Sequence, residues 1–186
     1  MAFTPTTLAT LAIIGFVLIE FVLRKGSTAK SLHTSTSDRG STIIIVAAYI
    51  LVALALTMKL PGPLLALPLR WVTGALAIVG VVVRIVAFLT LGSSYTRTLR
   101  VESEQSLVTH GIYRWVRHPG YAASILIWAG AAGASGALLA LVVVAVVLIA
   151  VYAYRIRSEE LMLTQSFGEK YKQYQTTSWR LLPYVY

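Results

Sequence analysis

The sequence predicts an all-α fold: a polytopic integral membrane protein with about five transmembrane helices and a C-terminal interfacial helix. Three observations lead there. Hydrophobic residues make up 57% of the 186, and the mean hydropathy of +0.75 is far above what a soluble core of this size requires. Only 12% of residues are charged, and they gather between long apolar runs. Most of those runs have about the length needed to cross roughly 30 Å of hydrocarbon. One domain is expected over 1–186, with two N-terminal helices and their loops in 1–64. A third helix, a polar loop, a helical hairpin and a polar tail fill 65–186.

The first helix is expected from Leu8 to Leu23, apolar apart from Thr10 and Glu20. A signal peptide is the rival, but Arg24 and Lys25 follow the apolar run instead of preceding it and no small-residue cleavage site comes next. Glu20 lies one helical turn before Arg24, so an interfacial pair and a functional carboxylate are both open. Residues 26–40 are rich in serine and threonine and read as a loop, with His33 facing solvent. A second helix spans Ser41 to Met58, and Lys59-Leu60-Pro61-Gly62-Pro63 turns the chain.

A third helix runs from about Leu65 to Leu91, where Gly74 and Gly80 permit close helix contacts. Arg84 sits roughly two turns from its end. Three roles are open to it: snorkelling, pairing with Glu20 or Glu160, and facing a ligand cavity. From Gly92 to Gly120 the chain is mainly polar, and Tyr95 to Val101 reads as a lid or re-entrant segment. Helix four starts at Pro119 or Gly120 and reaches about Gly130, with a tight turn or partial continuation over Ala131 to Ala137 before the apolar Leu138 to Tyr154. Past Arg155, apolar Leu161, Leu163, Phe167, Tyr171 and Tyr174 recur at three- and four-residue spacing, as in a helix lying across the interface.

Charge then gives an orientation. Five spans put thirteen basic residues, Arg24 through Arg180, on one side, and leave opposite only Lys59 and, at the start of the third helix, Arg70. The N-terminus is therefore expected outside and the C-terminus in the cytoplasm, with the cell inner membrane as the location. The net charge of +9 is spread between apolar helices with no recognition helix, which argues against nucleic acid and for anionic membrane lipid as its counterion. No obligate protein partner is evident. The chain has no cysteine, which excludes disulfides and thiolate chemistry. Three scattered histidines carry no metal-ligand spacing.

The same orientation brings the Gly92 to Gly120 loop and the Arg155 to Tyr186 tail to one face. Leu107 to Ala122, LVTHGIYRWVRHPGYA, concentrates His110, Tyr113, Arg114, Arg117 and His118 around Gly111, Pro119 and Gly120. Arginine and histidine supply charge-assisted hydrogen bonds, and a helix beginning at Pro119 leaves backbone donors for a carboxylate or phosphate. Glu159 and Glu160 are either an interfacial ion-pair network or the balance for a cationic ligand.

LVTHGIYRWVRHPGYA followed by RIRSEELMLTQSFGEKYKQYQTTSWRLLPY resembles the isoprenylcysteine carboxyl methyltransferase family, its prokaryotic members included, and more widely the phospholipid methyltransferase-like membrane enzymes. The likeness covers roughly Leu91 to Tyr186. It implies S-adenosylmethionine as cofactor, held by His110, Gly111, Tyr113, Arg117, His118, Pro119 and Tyr121, with Glu160 at the second acidic position of the later motif. Arg180, Leu181 and Pro183 match the closing Arg-Leu-x-Pro pattern.

Methyl transfer from a sulfonium is an in-line displacement, so positioning and exclusion of water do much of the work, and a carboxylate acceptor needs no base. Arg180 and Arg84 are the candidates to orient such an anion on a lipid-like, isoprenylcysteine-type acceptor. A phospholipid amine acceptor would have to lose a proton, and Glu160 or a histidine would then act as base. A membrane sterol reductase using NADPH and a non-catalytic transporter or scaffold are the remaining alternatives.

Overall fold

The computed structural model describes residues 3–24, 40–58, 60–92 and 106–184. The Tyr95 to Val101 segment, His33 and Lys59 lie outside them. Six α-helices follow in order: α1 Pro5–Arg24, α2 Ser41–Thr57, α3 Leu67–Leu91, α4 Pro119–Ser135, α5 Leu138–Phe167 and α6 Glu169–Thr177, with a 3₁₀ turn over Gly111–Arg114. Helix is the form such apolar segments take in lipid, since it satisfies every backbone group within the segment. Among the described residues, α3 and α5 are long and apolar enough to cross a membrane by length and composition, and α1 and α2 are shorter apolar helices. The chain is thus an all-α, membrane-associated bundle whose exposed apolar residues include Leu18, Ile50, Val79 and Val146.

The tightest packing is between α3 and α4, and glycine makes it possible. A Cβ on Gly130 would stand 2.6 Å from the Thr73 carbonyl oxygen, and one on Gly80 would stand 2.9 Å from that of Ala123. Backbones approaching this closely exclude any side chain. Around the seam lie Ala12, Phe16, Ala77 and Ile127, with Tyr49 and Trp128 against them. A second cluster joins α2 to α5 through Val52, Ala55, Val144, Leu148 and Tyr152.

Of the two readings open beyond Gly130, partial continuation is the one adopted: helix α4 runs to Ser135, with Ala131 to Ala134 themselves buried, and ends where Gly136 adopts φ +95° and turns the chain into α5. The tail, against expectation, does not form a separate helix from Arg155. Helix α5 runs unbroken for 30 residues, about 45 Å, and the break comes at Gly168, φ +55°, before the nine-residue α6. A helix that long exceeds the hydrocarbon thickness by about 15 Å. Its polar half from Arg155 onward carries Glu159 and Glu160 to the head of α4.

Candidate active site

The site is built on a short backbone pairing. Val116 and Trp179 form a parallel bridge. Trp179 N donates to Trp115 O at 2.9 Å, Arg117 N to Trp179 O at 2.7 Å, and His118 N to Arg180 O at 3.0 Å. This pairing seats the Arg-His-Pro loop and the closing segment side by side.

Glu160, 6% exposed, lies beneath them. Its Oε1 accepts from Arg117 Nε at 2.9 Å and its Oε2 from Arg180 Nε at 3.0 Å. Burial by itself would raise this carboxyl; the close approach of His118 and the hydrogen-bonded Arg117 guanidinium outweigh burial and hold it at about 2. Arg117 Nη1 also donates to the Gln175 and Ser178 carbonyls, so one guanidinium fastens the loop to both α5 and the segment after α6.

His118 is the residue before α4, and its ring is buried. Its Nδ1 is 3.7 Å from Glu159 Oε2 and its Nε2 3.4 Å from Glu160 Oε1. That second approach lacks hydrogen-bond alignment, which leaves Nε2 buried with no hydrogen-bond partner among the described residues. The ring stacks with Tyr121 at 5.6 Å between centroids and an 11° interplanar angle. Tyr121 in turn donates its hydroxyl to Glu159 Oε2 at 2.6 Å.

The structure therefore brings Arg117, His118, Pro119, Tyr121, Glu160 and Arg180 together. Gly111 and Tyr113 support them from the side. Gly111, at φ +58°, turns so close to α3 that a Cβ would meet Thr90 Cγ2 at 2.9 Å. The buried Tyr113 gives its carbonyl to Tyr174 OH at 2.5 Å, and burial pushes the Tyr174 phenol up to about 12. His110 and Arg114 are exposed; Arg114 lies over the Trp115 ring at 5.5 Å. Arg114 lines a cleft of about 380 Å³ together with Thr109, Trp115, Tyr174 and Thr177. Leu181 is half-buried and Pro183 exposed.

Arg84 is placed elsewhere. Its Nη2 pairs with Glu20 Oε1 at 2.5 Å, and its Nη1 donates to Gly120 O at 2.8 Å and Ser124 Oγ at 3.3 Å. Of the roles open to it, pairing with Glu20 is the one the described side chains show; the Arg24 side chain, and with it the i,i+4 contact, lies outside the described residues. The free helix start is likewise modified, since Tyr121 N and Ala122 N both turn onto His118 O, at 3.1 and 3.2 Å.

Some participants carried no local signal. Arg155 reads in sequence as the polar flank of a span, yet it is 3% exposed and inside the bundle. Trp179 and Ser178 act through backbone carbonyls, which no side-chain motif reveals. The i,i+3 pair Tyr171 and Tyr174 was legible as an apolar face, though not as the prop behind Tyr113.

The model of the isoprenylcysteine carboxyl methyltransferase family matches residues 72–165, half of the chain. Arabidopsis thaliana protein-S-isoprenylcysteine O-methyltransferase A is 31% identical over 98% of this chain and 98% of its own. A protein of Oryza sativa subsp. indica described as "Probable protein-S-isoprenylcysteine O-methyltransferase" is 34% identical over 59% of each chain, so the match spans little more than half of that relative. Among solved structures, the eukaryotic intramembrane Ras methyltransferase of this family superposes with a TM-score of 0.63 at 24% identity, over 95% of this chain and 63% of its own, which is a likeness of fold.

Proposed function

The chain belongs to the isoprenylcysteine carboxyl methyltransferase family, and from that membership we propose that it transfers a methyl group from S-adenosylmethionine to the carboxylate of an isoprenylcysteine-like lipid acceptor, by in-line displacement at the cytoplasmic membrane face. The observation that carries the proposal is the juxtaposition, on the polar overhang of an apolar bundle, of a buried carboxylate with Arg117, His118 and Arg180. S-adenosylmethionine, when bound, supplies an electrophilic methyl on a sulfonium. The residues present fit it: a buried His118 Nε2 that makes no hydrogen bond among the described residues offers a polar contact, and Glu159, a quarter exposed, offers anionic charge to a cationic ligand.

We assign cofactor holding to His118, Pro119, Tyr121 and Glu160, with Arg117 fixing their frame and His110, Gly111 and Tyr113 shaping the approach. Arg180, 38% exposed at its side chain and hydrogen-bonded on its Nε side to Glu160, is the group to orient the acceptor carboxylate. Arg84 acts at one remove, by pinning the first turn of α4 through Gly120. A carboxylate acceptor fits better than an amine. An amine needs a base, and a carboxyl held at about 2 between arginines does not take up a proton near neutrality.

We further propose five spans with α1, α2 and α4 crossing beside α3 and α5, the N-terminus outside and the C-terminus in the cytoplasm of a cell inner membrane. A single domain over 1–186 is in keeping with the interlocked helices. The relatives reported above are plant and other eukaryotic proteins, and nothing sets this chain apart as a prokaryotic-type member. Calorimetry in nanodiscs tests the cofactor, with micromolar-range binding of S-adenosylmethionine expected and its absence decisive against the proposal. Transfer of labelled methyl to an N-acetylated isoprenylcysteine, but not to phosphatidylethanolamine, tests the acceptor.

A further inference from the structure

Arg155 joins elements that share no motif. Its Nη1 donates to Ser41 Oγ at 2.5 Å and Thr42 Oγ1 at 3.3 Å, the first two residues of α2. Its Nε donates to the Tyr121 hydroxyl at 3.2 Å. That hydroxyl has one proton, which goes to Glu159 Oε2 at 2.6 Å, so its accepting side is the side that Arg155 meets. With donor and acceptor both engaged, the direction of the phenolic oxygen is set from two sides. The Tyr121 ring also stacks with His118, at 5.6 Å and 11°, and with Tyr152, at 4.8 Å and 26°. Tyr152 returns to α2 through a 2.6 Å hydrogen bond with Tyr49.

We infer that Arg155 is a positioning residue for methyl transfer: it fixes the Tyr121 hydroxyl, and thereby the ring against which His118 stacks, and it anchors that arrangement to the start of α2. The planar fork of a guanidinium is what lets one side chain donate in two directions, to α2 and to Tyr121, from a single buried charge. A lysine keeps the charge and cannot reproduce the two directions. Arg155 reaches the site through the Tyr121 hydroxyl. The coupling makes α2, which carries none of the family's motif residues, part of the support of the cofactor histidine.

The inference rests on the proposed function, because the readout is affinity for S-adenosylmethionine. Wild type, Arg155→Lys, Tyr121→Phe and the double variant are compared in nanodiscs by calorimetry and by thermal unfolding. Tyr121→Phe keeps the ring and removes the oxygen through which Arg155 acts. Arg155→Lys is expected to weaken cofactor binding about tenfold in the wild-type background and by less than about twofold in the Tyr121→Phe background, the non-additivity of residues in one network. Ser41→Ala/Thr42→Val, which leaves Arg155 in place and removes its α2 partners, is expected to weaken binding about threefold, with the loss again absent from the Tyr121→Phe background. This second cycle decides the matter if Arg155→Lys does not fold. Losses that multiply across backgrounds, or a lowered melting temperature with unchanged affinity, overturn the inference. Wild type that fails to bind S-adenosylmethionine overturns the proposed function instead.

Discussion

Arg180 Nε donates to Glu160 Oε2 at 3.0 Å, and the other oxygen of the same carboxylate accepts from Arg117 Nε at 2.9 Å. One buried anion therefore holds the Arg-His-Pro loop and the closing segment together. Glu160→Ala leaves Arg117 buried without its carboxylate, and is expected to cost about 3 kcal/mol of stability. Denaturant or thermal unfolding in detergent measures it, and a change under about 1 kcal/mol contradicts the role given to Glu160.

The same carboxylate predicts a pH dependence. Its folded-state pKa is depressed, from 4.5 to about 2, so the stability it contributes is present above about 4.5 and is lost as pH falls toward 2. Wild type should lose melting temperature across that window, and Glu160→Gln should lose less there. Parallel acid profiles of the two would show that other carboxyls dominate.

Arg180 and Glu160 should also separate in kinetics. Arg180→Ala is expected to lower methyl acceptance at least about tenfold while cofactor affinity changes by less than about threefold, as for an interaction made with acceptor and not cofactor. Equal losses in both quantities argue against acceptor orientation.

The Glu20–Arg84 pair is expected to act as a unit. Glu20→Ala leaves a largely buried guanidinium without its carboxylate and should cost about 3 kcal/mol, whereas Glu20→Leu/Arg84→Met should cost less than the sum of the single changes. A double-mutant cycle by thermal unfolding measures the coupling, and additivity would mean that the pair is incidental.

At the α3–α4 seam, Gly130→Ala places a methyl 2.6 Å from the Thr73 carbonyl oxygen. The backbones must part to admit it, at an expected cost of about 2 kcal/mol. Gly168→Ala has open space around its Cβ; it strains only the local backbone, so it is expected to cost about 1 kcal/mol. Comparing the two by unfolding separates crowding from conformation.

How far these features were legible in the sequence depends on the range over which each is decided. Apolar runs and turn residues located α1 to α3 and the starts of α4 and α5 to within a few residues, because lipid makes hydropathy the dominant local signal. The convergence of Arg117, His118 and Glu160 followed from counting spans and placing basic residues on one side. The lengths of α4 and α5 did not, since the alanines and glycines after Gly130 read equally as a turn or a continuation until α3 is seen against them. Arg84, Glu20, Arg155 and Ser41 pair across 64 and 114 residues of chain. No periodicity encodes such partners; only the folded bundle brings them within reach.

The pairing of residues 115–118 with 178–180 also carries an order in time. Arg117 and Ser178 are 61 residues apart, a stretch that a ribosome adding about 5–20 residues per second takes roughly 3–12 s to make. Throughout that interval the nascent chain holds Arg117 and His118 at the head of α4 with no closing segment to meet them. Any factor that shields exposed polar groups during membrane insertion would therefore have its greatest effect there, and a pause in translation before Trp179 would prolong it.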